Sequence, residues 1–216
     1  MIREAVVVAG GPDVAGIRPG AEEGTVFIGA DRGALRLVRL GIRPVLSVGD
    51  FDSVTEDEFK EISAVSDRVV RVGEEKDETD TELALAGAAC LEPGTVTLTG
   101  VTGGRLDHAQ SAMHAVYRLQ ERHPEIRFRI VDPNNELYFL RPGRHVLRDG
   151  GEYRYISFFS FGGPVKGMTL RGFRYEADNA EILPGTTLFT SNEAGVGECT
   201  ISFETGICLV VRSIDA

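Results

Sequence analysis

Aspartates with the means to do chemistry gather in short stretches of this 216-residue chain. Asp31 follows the apolar run at 25–30, and Asp50 and Asp52 follow the one at 44–49. Asp77 and Asp80 come a short loop after 68–72, and Asp107 follows 95–99 and the Gly103-Gly104 pair. Each group therefore stands beyond the C-terminal end of an expected strand, the edge at which open α/β sheets bind ligands. Carboxylates crowded at one edge repel one another, and a divalent cation is the simplest relief. Hard oxygen donors suit Mg²⁺, which is usually shared between one or two carboxylates and substrate phosphates.

Two cations interrupt this acidity. Lys76, one of three lysines with Lys60 and Lys166, stands beside Asp77, and Arg105 follows Gly103 and Gly104. A Gly-Gly-Arg loop that opens a helix can offer backbone N–H groups and a guanidinium to phosphate. The P-loop pattern is missing, and Gly10-Gly11 does not complete a dinucleotide fingerprint. Plainer roles compete with the chemical ones. Asp31, Asp107 and Thr79 all suit helix N-caps, and 74–82 suits a solvated charge run. Asp50-Phe51-Asp52-Ser53-Val54 also fits the haloacid-dehalogenase phosphatase pattern, with Asp50 as nucleophile. That motif normally follows the first strand, however, and here it follows the third.

The elements that must position these residues fall into two grammars. Up to about Asp132, near-continuous apolar runs at 5–9, 25–30, 44–49, 68–72, 95–99 and 127–131 alternate with helical patterns at 31–40, 55–65, 79–91 and 107–122. Ala109, Ala112, Met113 and Val116 mark one helix face, and Ala84, Gly87, Ala88 and Leu91 another. The alternation predicts a mostly parallel, Rossmann-like α/β sheet. After Asp132 come short segments rich in β-branched and aromatic residues at 136–140, 153–161, 168–170, 186–189, 199–203 and 207–211, punctuated by Gly, Pro, Asn and Asp. That pattern predicts an antiparallel sandwich or barrel. The expected domains are 1–140 and 141–216.

Four stretches, in this order, resemble the thiamine pyrophosphokinase family: Gly29-Ala30-Asp31-Arg32-Gly33-Ala34, Gly49-Asp50-Phe51-Asp52-Ser53, 76–82 and 102–108. Ser191-Asn192-Glu193 resembles the short Ser-Asn motif of that family's thiamine-binding domain. The resemblance implies a catalytic α/β domain, a thiamine-binding β-sandwich, and a homodimer whose active site lies between the catalytic domain of one subunit and the thiamine-binding domain of the other. It implies transfer of the terminal pyrophosphoryl group of ATP to the thiamine hydroxyl, with Mg²⁺. It carries Asp50, Asp52 and Asp80 to Mg²⁺ and phosphate. Asp31, Lys76, Asp77, Thr79, Gly103, Gly104, Arg105 and His108 go to the nucleotide, Asp80 or Asp107 to proton acceptance, and Ser191 and Asn192 to thiamine. A non-catalytic thiamine or nucleotide sensor on the same fold is the other alternative. Two departures stand out. Arg32 occupies a position where many members have glycine, and the chain has no tryptophan. An aromatic face for thiamine must come from 153–161, Phe173 or Tyr175.

Composition narrows the field. The formal net charge is -10, with 33 acidic and 23 basic residues, which opposes a general nucleic-acid binder. No stretch reaches the roughly 18–20 apolar residues of a membrane span, and the run at 5–9 is too short for a signal-peptide core. Cys90, Cys199 and Cys208 form no CxxC pair and are expected to be reduced thiols in a cytoplasmic protein.

Overall fold

A computed structural model describes residues 1–73, 77–147, 153–195 and 197–215. The chain divides into two compact units, Met1–Pro133 and Asn134–Ala216.

The first unit runs β1 (Glu4–Val8), β2 (Thr25–Ala30), α1 (Arg32–Arg39), β3 (Leu46–Gly49), α2 (Glu56–Val65), β4 (Val69–Arg71), α3 (Asp80–Ala89), β5 (Thr95–Thr99), α4 (Leu106–Arg122) and β6 (Arg127–Val131). Its strands pair in parallel in the order β4-β3-β2-β1-β5-β6. The order reverses at β1, so the connections after β1 and β5 diverge and leave a crevice at their carboxyl ends. Val7 and Val8 of β1, Ile28 of β2 and Leu98 of β5 are fully buried, as near-continuous apolar strands require.

Helices close on this sheet through small residues. A Cβ on Gly33 would collide with the Val8 carbonyl, so glycine there lets the first turn of α1 lie directly on the end of β1. A Cβ on Gly87 of α3 would sit 2.6 Å from the Leu46 side chain of β3. Thr55 caps α2 with a reciprocal capping box to Glu58, and Thr79 caps α3 by accepting from the Glu82 N–H. On α4, Ala112 and Val116 of the expected face are buried with Ala115 and Leu119, while Ala109 and Met113 are half-buried.

The second unit is antiparallel. It contains β7 (Asn135–Leu140), β8 (Gly143–Leu147), β9 (Tyr155–Arg171), β10 (Ala177–Ile182), β11 (Asn192–Glu193), β12 (Cys199–Phe203) and β13 (Thr205–Ser213). The long strand β9 serves two ladders. Its first half pairs with β13, which pairs in turn with β7, and its second half pairs with β10 and with β12, which pairs with β8. Phe158, Met168, Leu170, Ile201 and Val210 form the fully buried centre of this unit.

Two expectations are corrected here. Gly162-Gly163-Pro164 does not break the chain: β9 runs through it, Gly162 adopts a φ of 72°, and the register against β13 shifts at that point. A bulge absorbs the residues that read as a turn. The expected strand at 186–189 is a pair of turns instead, because Pro184-Gly185 and the Thr187–Thr190 backbone hydrogen bond fold it back.

Cys199 and Cys208 are buried and Cys90 is exposed. Burial pushes the Cys208 thiol up to about 12. A thiol reagent is expected to label one site, Cys90, in the folded protein and three after denaturation, as counted by intact mass. Fast labelling of a second thiol under native conditions would contradict this packing.

Candidate active site

The carboxyl edge of the parallel sheet holds a cleft of about 530 Å³. It is lined from the ends of β1, β2, β3 and β5 and from the first turns of α3 and α4. That volume suits a cofactor-sized ligand.

The loop after β3 sets the acidic geometry. Phe51 is buried at 3% exposure, and its ring lies 5.0 Å from Phe59 of α2. It packs with Ala34, Leu35 and Ile62 between α1 and α2. To reach that position its backbone adopts a φ of 61°. The apolar anchor fixes the loop, and Asp50 and Asp52 flank it. The Asp50 carboxylate accepts the Asp52 N–H at 3.1 Å, a local turn bond that holds the two together.

Asp31 joins them from the end of β2. One carboxylate oxygen each from Asp31, Asp50 and Asp52 lie within 4.8 Å of one another. Asp31 also has a positive φ, 48°, which is strained for a side chain other than glycine. Gly49 permits this turn, because a Cβ there would stand 3.2 Å from the Asp31 backbone and Cβ. Although Asp31 precedes α1, its side chain makes no capping bond. Its Oδ2 accepts from the Ser53 hydroxyl at 2.6 Å, while its Oδ1 is buried and lacks a hydrogen-bond partner among the described residues. Burial raises the Asp31 pKa against the lowering effects of the Ser53 hydroxyl and the Arg32 backbone N–H, and the charges of Asp80 and Asp50 raise it further. A buried, unpartnered carboxylate oxygen beside two more carboxylates is a donor set that fits Mg²⁺.

The other expected residues divide. Asp80, Thr79, Gly104, Arg105 and His108 line the cleft. Asp77 is exposed and does not line it, and Lys76 lies outside the described residues. Gly103 adopts a φ of 76°, and a Cβ there would collide with the Asp13 carboxylate, so it shapes the loop. Asp107 is held by Arg105, which donates to it through Nε at 3.1 Å and Nη2 at 2.6 Å, and its Oδ1 also accepts the His108 N–H at 2.9 Å. The Arg105 fork holds the Asp107 carboxyl down at about 2. Asp107 is absent from the cleft lining.

In the second unit, Ser191 has a φ of 58° and its N–H donates to the Ser157 hydroxyl. Asn192 is buried, and its amide is spent on main chain. Its oxygen accepts from the Tyr175 and Glu193 N–H groups, and its nitrogen donates to the Tyr175 carbonyl at 2.7 Å. Phe173 is buried edge-on against Phe158, whereas Tyr175 is 59% exposed. The sequence pattern did not mark Asp31 as a partner of Asp50 and Asp52, because β2 and β3 lie side by side only in the folded sheet.

This geometry can be set beside known proteins. The family description "Thiamin pyrophosphokinase, catalytic domain" matches residues 21–128, and "Thiamin pyrophosphokinase, vitamin B1 binding domain" matches 144–208. The chain belongs to the thiamin pyrophosphokinase family. A thiamine pyrophosphokinase of Bacillus subtilis (strain 168) is 36% identical over 214 residues, covering 97% of this chain and 98% of its own. A crystal structure of thiamine pyrophosphokinase from Bacillus subtilis superposes with a TM-score of 0.91 at 34% identity, covering 99% of this chain and all of that one. A thiamin pyrophosphokinase from Geobacillus thermodenitrificans gives 0.88 at 35%, covering 99% of this chain and 98% of its own. Family membership makes the chain a thiamine diphosphokinase with thiamine and ATP as substrates, and sets aside the phosphatase reading. No described helix is long and apolar enough to cross a membrane.

The Asp31 environment has a measurable cost. A carboxyl whose folded pKa lies above its unfolded value opposes folding once ionised. The metal-free protein therefore loses stability as pH rises from the ordinary value of 3.8 through the raised one. Asp31→Asn is expected to melt at a higher temperature than wild type at neutral pH without metal, and adding Mg²⁺ is expected to raise the melting temperature of wild type but not of Asp31→Asn. A lower melting temperature with Mg²⁺ stabilisation intact would sink this reading.

Proposed function

We propose that the cleft of the first unit binds the phosphates of ATP with Mg²⁺, and that the second unit supplies the thiamine contacts. The observation that carries this is the Asp31, Asp50 and Asp52 trio with its buried, unpartnered oxygen. In this reading the trio holds Mg²⁺, and Asp80 faces the same ligand from the start of α3. Bound Mg²⁺ would neutralise phosphate charge as it develops in the transfer. Arg105, Lys76 and the α4 N-terminal loop would steady the phosphates, with Thr79, Asp77 and His108 placed around the nucleotide.

The thiamine hydroxyl oxygen attacks the β-phosphorus. A new P–O bond forms, the bond from the β-phosphorus to the bridging oxygen breaks, and AMP leaves with that oxygen. The hydroxyl proton goes to a carboxylate. Asp80 is our choice, since it lines the cleft while both oxygens of Asp107 are committed to Arg105 and His108. Ser191 and Tyr175 would contact thiamine, with Asn192 holding the Tyr175 backbone in place. A Rossmann-like first domain, a β-sandwich second domain that begins at about Asn134 rather than at the expected 141 because β7 pairs with β13, a homodimer with shared active sites and a cytoplasmic location complete the proposal.

Two experiments test it. With ATP, Mg²⁺ and thiamine, chromatography should show AMP and thiamine diphosphate in equal amounts, absent without Mg²⁺ and lost in Asp52→Asn. ADP with thiamine monophosphate would overturn the chemistry. Because Asp107 is held near about 2 it stays ionised at neutral pH, so Asp107→Asn should leave the acid limb of the kcat/KM pH profile in place. If that limb moved with Asp107→Asn, proton transfer would belong to Asp107.

A further inference from the structure

Two arginines line the cleft, and the fold uses them differently. Arg105 is forked onto Asp107. Arg32, the first residue of α1, donates through Nη1 to the Ser53 carbonyl at 3.0 Å, and its guanidinium has no carboxylate partner among the described residues. One neutral carbonyl engages one of five N–H donors. A guanidinium beside the carboxylates of the cleft, paired with none of them among the described residues, leaves its charge available to an anion.

We infer that Arg32 is a binding residue for the polyphosphate chain of the nucleotide. The inference rests on the nucleotide reading above. Its placement suits the role. Arg32 stands between Asp31 and the glycine that lets α1 meet the end of β1, so its Cα is held beside that close approach. The Ser53 carbonyl then orients the guanidinium beside the loop that carries Asp50 and Asp52. Ser53 also donates to Asp31, so one residue registers both the cation and the carboxylate. A triphosphate carries more negative charge than one divalent ion balances, and a planar fork can take two of its oxygens together.

The test compares wild type, Arg32→Gly and Arg32→Lys. Removing a charge-assisted contact is expected to raise the KM for ATP by about tenfold or more in Arg32→Gly. The KM for thiamine and the melting temperature should move little. Arg32→Lys should recover part of the loss, since an ammonium keeps the charge but not the fork. Competition by inorganic pyrophosphate should weaken in parallel in Arg32→Gly. An unchanged KM for ATP would overturn the inference. So would a fall in kcat with KM unchanged and a lower melting temperature, which would make Arg32 only a strap on Ser53. Calorimetric titration with Mg-ATP separates the two levels. If wild type binds no ATP, the nucleotide reading fails. If wild type and Arg32→Gly bind it equally well, the inference alone fails.

Discussion

Repulsion among carboxylates governs the first unit. Three acidic oxygens held within 4.8 Å would separate if the chain allowed it. The fold holds them there through the packing and hydrogen bonds of the two loops. Asp31 is pinned between Gly49 and Ser53 in a backbone conformation that few residues tolerate. Asp50 and Asp52 flank a buried phenylalanine. Preorganisation of this kind stores the cost of assembling the site in the folded chain, so none of it falls on the moment of reaction.

The same principle explains the small residues. Gly29, Gly33 and Gly49 stand where the turn after β2 and the start of α1 come against strand ends, and each would clash or crowd if it carried a side chain. They bring the first turn of α1 down to the sheet edge, where the ligand-facing groups must converge. The second unit solves a different problem. It uses the amide of Asn192 to hold main-chain groups of Tyr175, which fixes that loop.

Much of this was legible in the sequence. The strands at 25–30, 95–99, 127–131 and 199–203 match the observed elements, because apolar runs bounded by turn residues leave little freedom in where a buried strand begins. The acidic edge was legible for the same reason, since strand ends can be counted along the chain. The grouping of Asp31 with Asp50 and Asp52 was not, because it depends on β2 and β3 being neighbours in the sheet. Nor was the commitment of Asp107 to Arg105, which is a matter of side-chain direction two residues apart. In the second unit, Gly162-Gly163-Pro164 reads as a break, and only the paired strand reveals a bulge. The short strand β8 and the polar strand β10 carry little apolar alternation, so nothing in their composition announces them.

Phe51 belongs to the hydrophobic core and to the acidic site at once. Through it, the inward face of α2, Phe59 and Ile62, helps set where Asp50 and Asp52 stand, although α2 contributes no residue to the cleft lining. Selection on catalysis therefore reaches a helix that never meets the substrate. Drift on that face is constrained by the placement of the carboxylates as well as by packing, and exchanges between Phe59 and Ile62 should be tolerated only as compensated pairs.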